Sequence, residues 1–180
     1  MNLKDKQLKH TRSSGFTMME LLFAVPVMGI GVLGVTGLQL VSLQNNQEAL
    51  VRSEAVQLAY DIMDRIRVNP GAGVPGAAYD GVALGADPAA PNDCVANTCT
   101  VAQMTAFDIA LWKCSLGGFN AEDVCQDMRD DDLLPPETEQ PGLPNGDGAI
   151  VVSGAGVVTV TVQWSGFNNQ NQTVVITSQG

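Results

Sequence analysis

Gly15-Phe16-Thr17-Met18-Met19-Glu20 separates a short basic leader from a long apolar run, and how this stretch is read decides the fold of everything after it. It holds one small residue, one aromatic ring and one carboxylate, and no further charge appears until Glu48. Leu21 to Leu38 is apolar or Gly, Thr and Pro throughout, and Gln39 to Leu43 extends the run. At 1.5 Å per residue, about 20 or more helical residues cross a ~30 Å hydrocarbon core, so residues 21–43 are read as a single membrane-spanning helix. The Leu, Ile, Val and Phe residues of that run contribute roughly −3 to −6 kcal/mol on an insertion scale, against about +2.5 to +3.5 kcal/mol for a carboxylate at the helix centre. Glu20 is tolerable because it sits at the edge of the run.

Lys4, Lys6, Lys9 and Arg12 against Asp5 give the leader a net +3 in a chain of net −10, leaving −13 for the remainder. Basic residues just before a span hold the N-terminus in the cytoplasm and send the C-terminal side, here everything after about Leu43, across the membrane. A conventional secretory signal fits less well. Its apolar region is about 7–15 residues and ends in a small-x-small cleavage site, whereas this run is longer and continues into an amphipathic pattern. Gly29, Gly31 and Gly34 spell G-x-G-x-x-G, but no strand precedes them and no βαβ unit surrounds them, so no dinucleotide is expected. With Gly37 they instead give a membrane helix a thin face for close packing, or a segment able to unwind locally. Pro26 removes the amide that would bond the Leu22 carbonyl, which predicts a kink between them.

Composition excludes several function classes. The acidity argues against nucleic acid as a partner. The only histidine is His10, so a chain that loses its leader lacks the commonest general base and transition-metal ligand. No carboxylate pair has the character of a catalytic site, no cofactor is implied, and an enzyme is not expected. Cys94, Cys99, Cys114 and Cys125 are even in number and lie in the exported region, without a nearby histidine to complete a zinc site. Two disulfides are expected, with sequential pairing the simplest of three connectivities. Asp127, Asp130, Asp131 and Asp132 are hard-cation donors by type, but their spacing is not that of an EF-hand loop. Residues 122–139 are read as a solvated acidic loop among prolines.

The organisation follows from the periodicities. Residues 1–15 are leader, and 16–69 form the N-terminal helix. Beyond the membrane run, Val51, Ala55, Leu58, Ala59, Ile62 and Ile66 recur at helical spacing on one face. Glu48 with Arg52, and Asp61 with Arg65, are acid-before-base pairs four apart, worth only ~0.3–0.5 kcal/mol on an exposed face. Asn69-Pro70 and the glycines after it stop the helix, which from Thr17 to Val68 would be about 78 Å long. Residues 70–148 are an irregular connection with one short helix, 102–113, anchored by Met104, Phe107, Ile109, Leu111 and Trp112. Residues 149–180 hold three strands, 149–153, 157–164 and 172–178, separated by Gly- and Asn-rich turns, as in an antiparallel meander. Val158, Val160, Val162 and Trp164 share the face that would pack on the long helix, with Thr159, Thr161 and Gln163 opposite. The class is α+β, a long helix packed on a small C-terminal antiparallel sheet.

Gly15, Phe16, Thr17 and Glu20, two apolar residues intervening, resemble the type IV prepilins, whose basic leader ends in Gly before Phe-Thr and whose helix carries Glu at this place. The resemblance implies the type IV pilin fold, cleavage between Gly15 and Phe16 by a prepilin peptidase, N-methylation of Phe16, and an assembly role for Glu20. In a bundle of such helices the Glu20 carboxylate can neutralise the freed α-amino group of a neighbouring Phe16, offsetting a desolvation cost that both carry. A local alternative is an acid favoured by the helix dipole. Leu38-Gln39-Leu40, Asn45-Asn46-Gln47, Arg52-Ser53, Ala59-Tyr60-Asp61-Ile62 and Asp64-Arg65 are similar to PilV-type minor pilins, as are Cys99 to Gln103, Phe107-Asp108, Leu111-Trp112 and Leu143 to Gly146. Pro26 and Met18-Met19 depart from the commoner pattern.

That likeness implies a minor pilin promoting pilus assembly, adhesin presentation and twitching motility. Its partners would be the other minor pilins, the major pilin, the inner-membrane assembly platform and a tip adhesin. It also implies residence as a single-pass inner-membrane protein, with the C-terminal region periplasmic, and then at the pilus surface. A minor pseudopilin of a type II secretion system shares the leader chemistry, and a signal-anchored periplasmic binding protein is the alternative of a different class.

Overall fold

A computed structural model describes residues 15–69, 74–167 and 169–179. The basic leader with His10, the helix-stopping Pro70, Gly71 and Gly73, and Asn168 of the last turn lie outside them. The elements are α1 (Met18–Val68), α2 (Val101–Leu116), α3 (Asp123–Asp130), β1 (Asp147–Val152), β2 (Val157–Ser165) and β3 (Asn171–Gln179). They divide into two units, one ending at Leu43 and the other comprising the rest from Gln44.

In the first unit α1 runs through Pro26 without interruption, and its residues are exposed, including every large apolar side chain from Leu21 to Leu43. No residue of that apolar window is buried within the chain, and by length and hydropathy it suffices to span a bilayer. Thr36 returns its hydroxyl to the Val32 carbonyl at 2.9 Å, the usual way a hydroxyl is satisfied on a membrane-facing helix.

The second unit is built on the amphipathic half of α1. Ala55, Leu58, Ala59, Ile62, Met63 and Ile66 are buried, which is the expected stripe with Met63 added and Val51 only partly covered. The sheet has the order β1-β2-β3, both pairs antiparallel, with Val160 opposite Ile150 on one side and Ile176 on the other. Strict alternation along β2 buries Val158, Val160, Val162 and Trp164, and these join the α1 stripe, Tyr79, Trp112 and Leu116 in the main core. Thr159, Thr161 and Gln163 take the opposite face and are half-buried rather than exposed.

Three segments differ from the sequence expectation. α2 begins one residue earlier and ends three later than 102–113. It starts at a capping box, in which Thr100 accepts from the Gln103 amide and the Gln103 side chain accepts from the Thr100 amide, and it ends on Gly117, whose φ of 99° suits a left-handed cap. The acidic stretch 122–139 contains a helix, α3. Cys125 and Met128 fall on one side of it and join Phe107, Leu111 and Leu134 in a second core, so three-residue apolar spacing outweighed the charge. Arg129 ties the following turn down by donating to the Pro135 carbonyl and to Asn120 Oδ1. β1 starts at Asp147 rather than Ala149. It reaches back because Gly148 fits against the indole of Trp112, where a Cβ would collide.

Disulfides link Cys94 to Cys99 and Cys114 to Cys125. The second staples α2 to α3 at the centre of the smaller core. Each cross-link of this loop size contributes ~2–4 kcal/mol, chiefly by restricting the unfolded chain.

Candidate assembly site and a separate polar lock

Gly15, Phe16 and Thr17 precede the first turn of α1 and are exposed, Phe16 at 81%. Thr17 opens the helix. Its carbonyl accepts the amides of Glu20 and Leu21 at 3.1 and 3.3 Å, and its hydroxyl accepts the Glu20 amide at 3.4 Å. Glu20 is therefore the third helical residue, where a carboxylate meets the positive end of the helix dipole. Among the described residues no cation pairs with it. Local geometry alone thus accounts for an acid here. The placement satisfies the dipole and remains compatible with pairing to an amine from another subunit.

A second constellation lies in the other unit, where α1 ends. Asp108 of α2, its side chain 7% exposed, accepts from the Tyr79 hydroxyl at 2.5 Å and from Arg65 Nη1 at 3.0 Å. Arg65 also reaches Asp61 through Nε at 2.9 Å. Asn69, the residue after α1, is buried and donates through Nδ2 to Thr105 Oγ1 at 3.1 Å and more weakly to Tyr79. Burial, reinforced by the bond to Asp108, raises the Tyr79 hydroxyl well above its usual range. Burial alone would lower the guanidinium of Arg65, but the hydrogen bonds it donates to Asp108 and then Asp61 outweigh it and raise it. The group locks the end of α1 to α2 and to the connecting segment through Tyr79.

Lys113, about a turn and a half further along α2, has a parallel role. It is 1% exposed, with Nζ 2.5 Å from Asp147 Oδ1, 2.9 Å from the Ala83 carbonyl and 5.1 Å from the centre of the Phe119 ring. The indole of Trp112 donates to the Leu58 carbonyl at 2.9 Å, a bond from α2 into the amphipathic half of α1. These contacts have structural chemistry: each charge has its partner, and no nucleophile stands beside a base.

A groove of 580 Å³ runs beside the lock, lined by Asp61, Asp64, Val68, Thr100 and Met104 among others. Its three carboxylates are all engaged, Asp61 and Asp108 by Arg65 at 2.9 and 3.0 Å and Asp64 by Arg67 at 2.8 Å. Among the described residues no group of three or more His, Cys, Asp or Glu is placed to hold a metal.

Sequence reasoning placed Asp61 and Arg65 as an exposed helical pair. The structure corrects this, because Arg65 is half-buried and its second carboxylate is Asp108, 43 residues away. The other such pair, Glu48 with Arg52, is not among the ion pairs of the described residues. Asp108 was discoverable: a lone carboxylate between Phe107 and Ile109 in an apolar helix is the same kind of signal as Glu20. Tyr79 and Lys113 carried none.

No curated protein and no solved structure matches the chain significantly. The amphipathic half of α1, the connection with its Cys94–Cys99 bridge and the first turns of α2 all fall within one family match, which begins at the end of the apolar run. Over residues 37–110 the chain is similar to the Tt1218-like family, described as type IV pilin Tt1218, and the long apolar helix, the three-stranded antiparallel sheet and the two disulfides are consistent with the α+β fold of a type IV pilin.

Proposed function

We propose that this chain is a minor pilin, a structural subunit rather than an enzyme. In this reading prepilin peptidase cuts after Gly15 on the cytoplasmic side, the new amine of Phe16 is methylated, and the subunit waits in the inner membrane with its disulfide-bonded region in the periplasm. It is then drawn into the pilus through α1 by the assembly platform, beside the major pilin and other minor pilins. Its contribution is to pilus initiation and to presentation of a tip adhesin, on which adhesion and twitching motility depend. Similarity of Arg52-Ser53, Ala59 to Ile62 and Phe107-Asp108 to PilV-type sequences supports the narrower assignment.

The observation that carries the reading is the junction at Gly15 to Glu20. An exposed Gly-Phe step lies just before a helix whose first carboxylate has no ion-pair partner among the described residues and whose next 23 residues are exposed, uncharged and mostly apolar. So large an apolar surface needs cover, first from the bilayer and then, on this reading, from the packed helices of neighbouring pilins. The test is the mass of the mature N-terminus. A methylated Phe16 is expected; an intact Met1, or a cut beyond Gly37, would exclude the pilin reading. Deleting the gene and scoring surface pili against secreted protein separates a pilus from a type II secretion system.

A further inference from the structure

The two edges of the sheet are treated differently. Along β1 the outward-facing amides belong to Gly148, Ile150 and Val152, and all three are satisfied from the same chain. Gly148 donates to Asp147 Oδ1 at 2.6 Å, Ile150 to the Val82 carbonyl at 2.9 Å, and Val152 to Asp80 Oδ1 at 2.8 Å. That edge is closed by the segment around Asp80 to Val82.

β3 forms the other edge, and it is open. The turn bond from the Gly166 amide to the Gln170 carbonyl at 2.8 Å fixes the ladder phase, so even-numbered residues of β3 bond to β2. The amides and carbonyls of Asn171, Thr173, Val175, Thr177 and Gln179 point away from it, and among the described residues no backbone partner meets them. Exposed edges are ordinarily blunted by charge, proline, a bulge or brevity. β3 has none of these: nine residues pair with β2 without a break, and not one is charged or proline, in a chain of net charge −10.

The sequence of β3 identifies what fits this edge. Asn171-Gln172-Thr173-Val174-Val175-Ile176-Thr177-Ser178-Gln179 reads alike in both directions about Val175. Laid antiparallel on a second copy with Val175 on the two-fold axis, it sets Val174 opposite Ile176, Thr173 opposite Thr177, Gln172 opposite Ser178 and Asn171 opposite Gln179. Each is a like-with-like cross-strand pair, and no charges oppose. The outward phase also agrees, because Val175 faces Val175 as a hydrogen-bonded pair and the alternate residues continue the ladder, giving about ten new backbone bonds. Val175, 58% exposed, would be covered by its own counterpart. Arg67, which donates to Ser178 Oγ at 2.7 Å, is itself paired with Asp64, so it adds no net charge to the edge.

We infer that two copies of this chain associate through β3, joining their sheets into one six-stranded antiparallel sheet. Such a contact is two-fold and closes at two copies, so it cannot propagate a filament. It describes a dimer distinct from any helical assembly and does not depend on the pilin reading.

The test is site-directed cross-linking of the full-length chain in detergent and in membranes. All four native cysteines are in disulfides, so an introduced cysteine is the one free thiol among the described residues. In a hydrogen-bonded antiparallel pair the Cα atoms lie about 5.5 Å apart, inside the disulfide range. Val175→Cys should therefore give a covalent dimer on mild oxidation. Gln179→Cys alone should not, because its two copies lie about 27 Å apart, while mixing Asn171→Cys with Gln179→Cys chains should yield a heterodimer. Val175→Pro removes an amide that points away from β2, so it should leave the tryptophan circular dichroism intact and abolish the dimer. Absence of dimer with Val175→Cys, equal cross-linking at all three positions, or a product whose mass is not twice that of the chain would each overturn the inference.

Discussion

Replacing Asp108 by alanine tests the lock at the end of α1 directly. The substitution strips the Tyr79 hydroxyl of its charged acceptor at 2.5 Å in a buried setting, a loss of ~1.5–3 kcal/mol for a hydrogen bond to an ionised group. Arg65 keeps Asp61 and is half-exposed, so its share of the loss is screened to ~0.5–1 kcal/mol. The expected total is about 2–4 kcal/mol, a large share of a typical domain's stability, and a fall in melting temperature of roughly 10 °C. Both tryptophans, Trp112 and Trp164, are buried in the same unit, so near-UV circular dichroism or fluorescence of the full chain in detergent follows its unfolding. Tyr79→Phe should cost ~1–2 kcal/mol, and the double substitution should cost less than the two separately by about 1 kcal/mol or more. The Tyr79 hydroxyl is raised in the folded state, so its contribution is complete below the ordinary tyrosine value near pH 10 and is lost as pH climbs through the folded value. The alkaline loss of stability should therefore be shallower in Tyr79→Phe than in the parent. A melting curve for Asp108→Ala within ~0.5 kcal/mol of the parent, or additive effects of the two substitutions, would refute the lock.

Three other outcomes rest on the same geometry. Asp80 accepts the amides of Val152 and Gly76, which hold its carboxyl below the usual value, so its contribution is present above pH ~3.8 and fades as pH falls through the folded value; acid titration of Asp80→Asn should lack that component of the transition. Gly148→Ala drives a Cβ into the Trp112 ring and should destabilise by ~1–3 kcal/mol in denaturant melts, whereas Gly154→Ala, with nothing near its added carbon, should change little. Glu20→Val should insert into membranes as before yet enter sheared pili at a reduced level on immunoblots; normal incorporation would remove the assembly role from Glu20.

The long helix, its buried stripe and the three strands were readable because each writes a simple period into the sequence. Ala55, Leu58, Ile62 and Ile66 recur every three or four residues, and Val158, Val160, Val162 and Trp164 every second one. α3 was hidden because only Cys125 and Met128 carry its apolar face, and eight acidic residues in the 122–139 stretch dominate any average taken across it. At Gly15 to Glu20, charge placement singled out Glu20, while the roles proposed for Gly15 and Phe16 rest on the prepilin resemblance. The lock as a whole was not, since Arg65, Tyr79 and Asp108 lie far apart in the chain and Tyr79 sits in a segment without periodicity. Burial of a polar residue leaves a local trace only when its neighbours are all apolar, which holds for Asp108 and not for Tyr79 or Asn69.

The bond from the Trp112 indole to the Leu58 carbonyl implies that α1, although one uninterrupted helix, does not have one stability. Between Ala55 and Ile66 its amides are shielded by the sheet and by α2, and exchange of their hydrogens with solvent should require opening of the whole unit. From Leu21 to Leu43 the same ladder of bonds is guarded only by whatever surrounds the helix, lipid or other helices, and the glycines there lower the cost of opening a turn. Hydrogen exchange along α1 should therefore step from slow to environment-dependent near Leu43 and Gln44, so that packing into an assembly would register as protection gained in the first half alone.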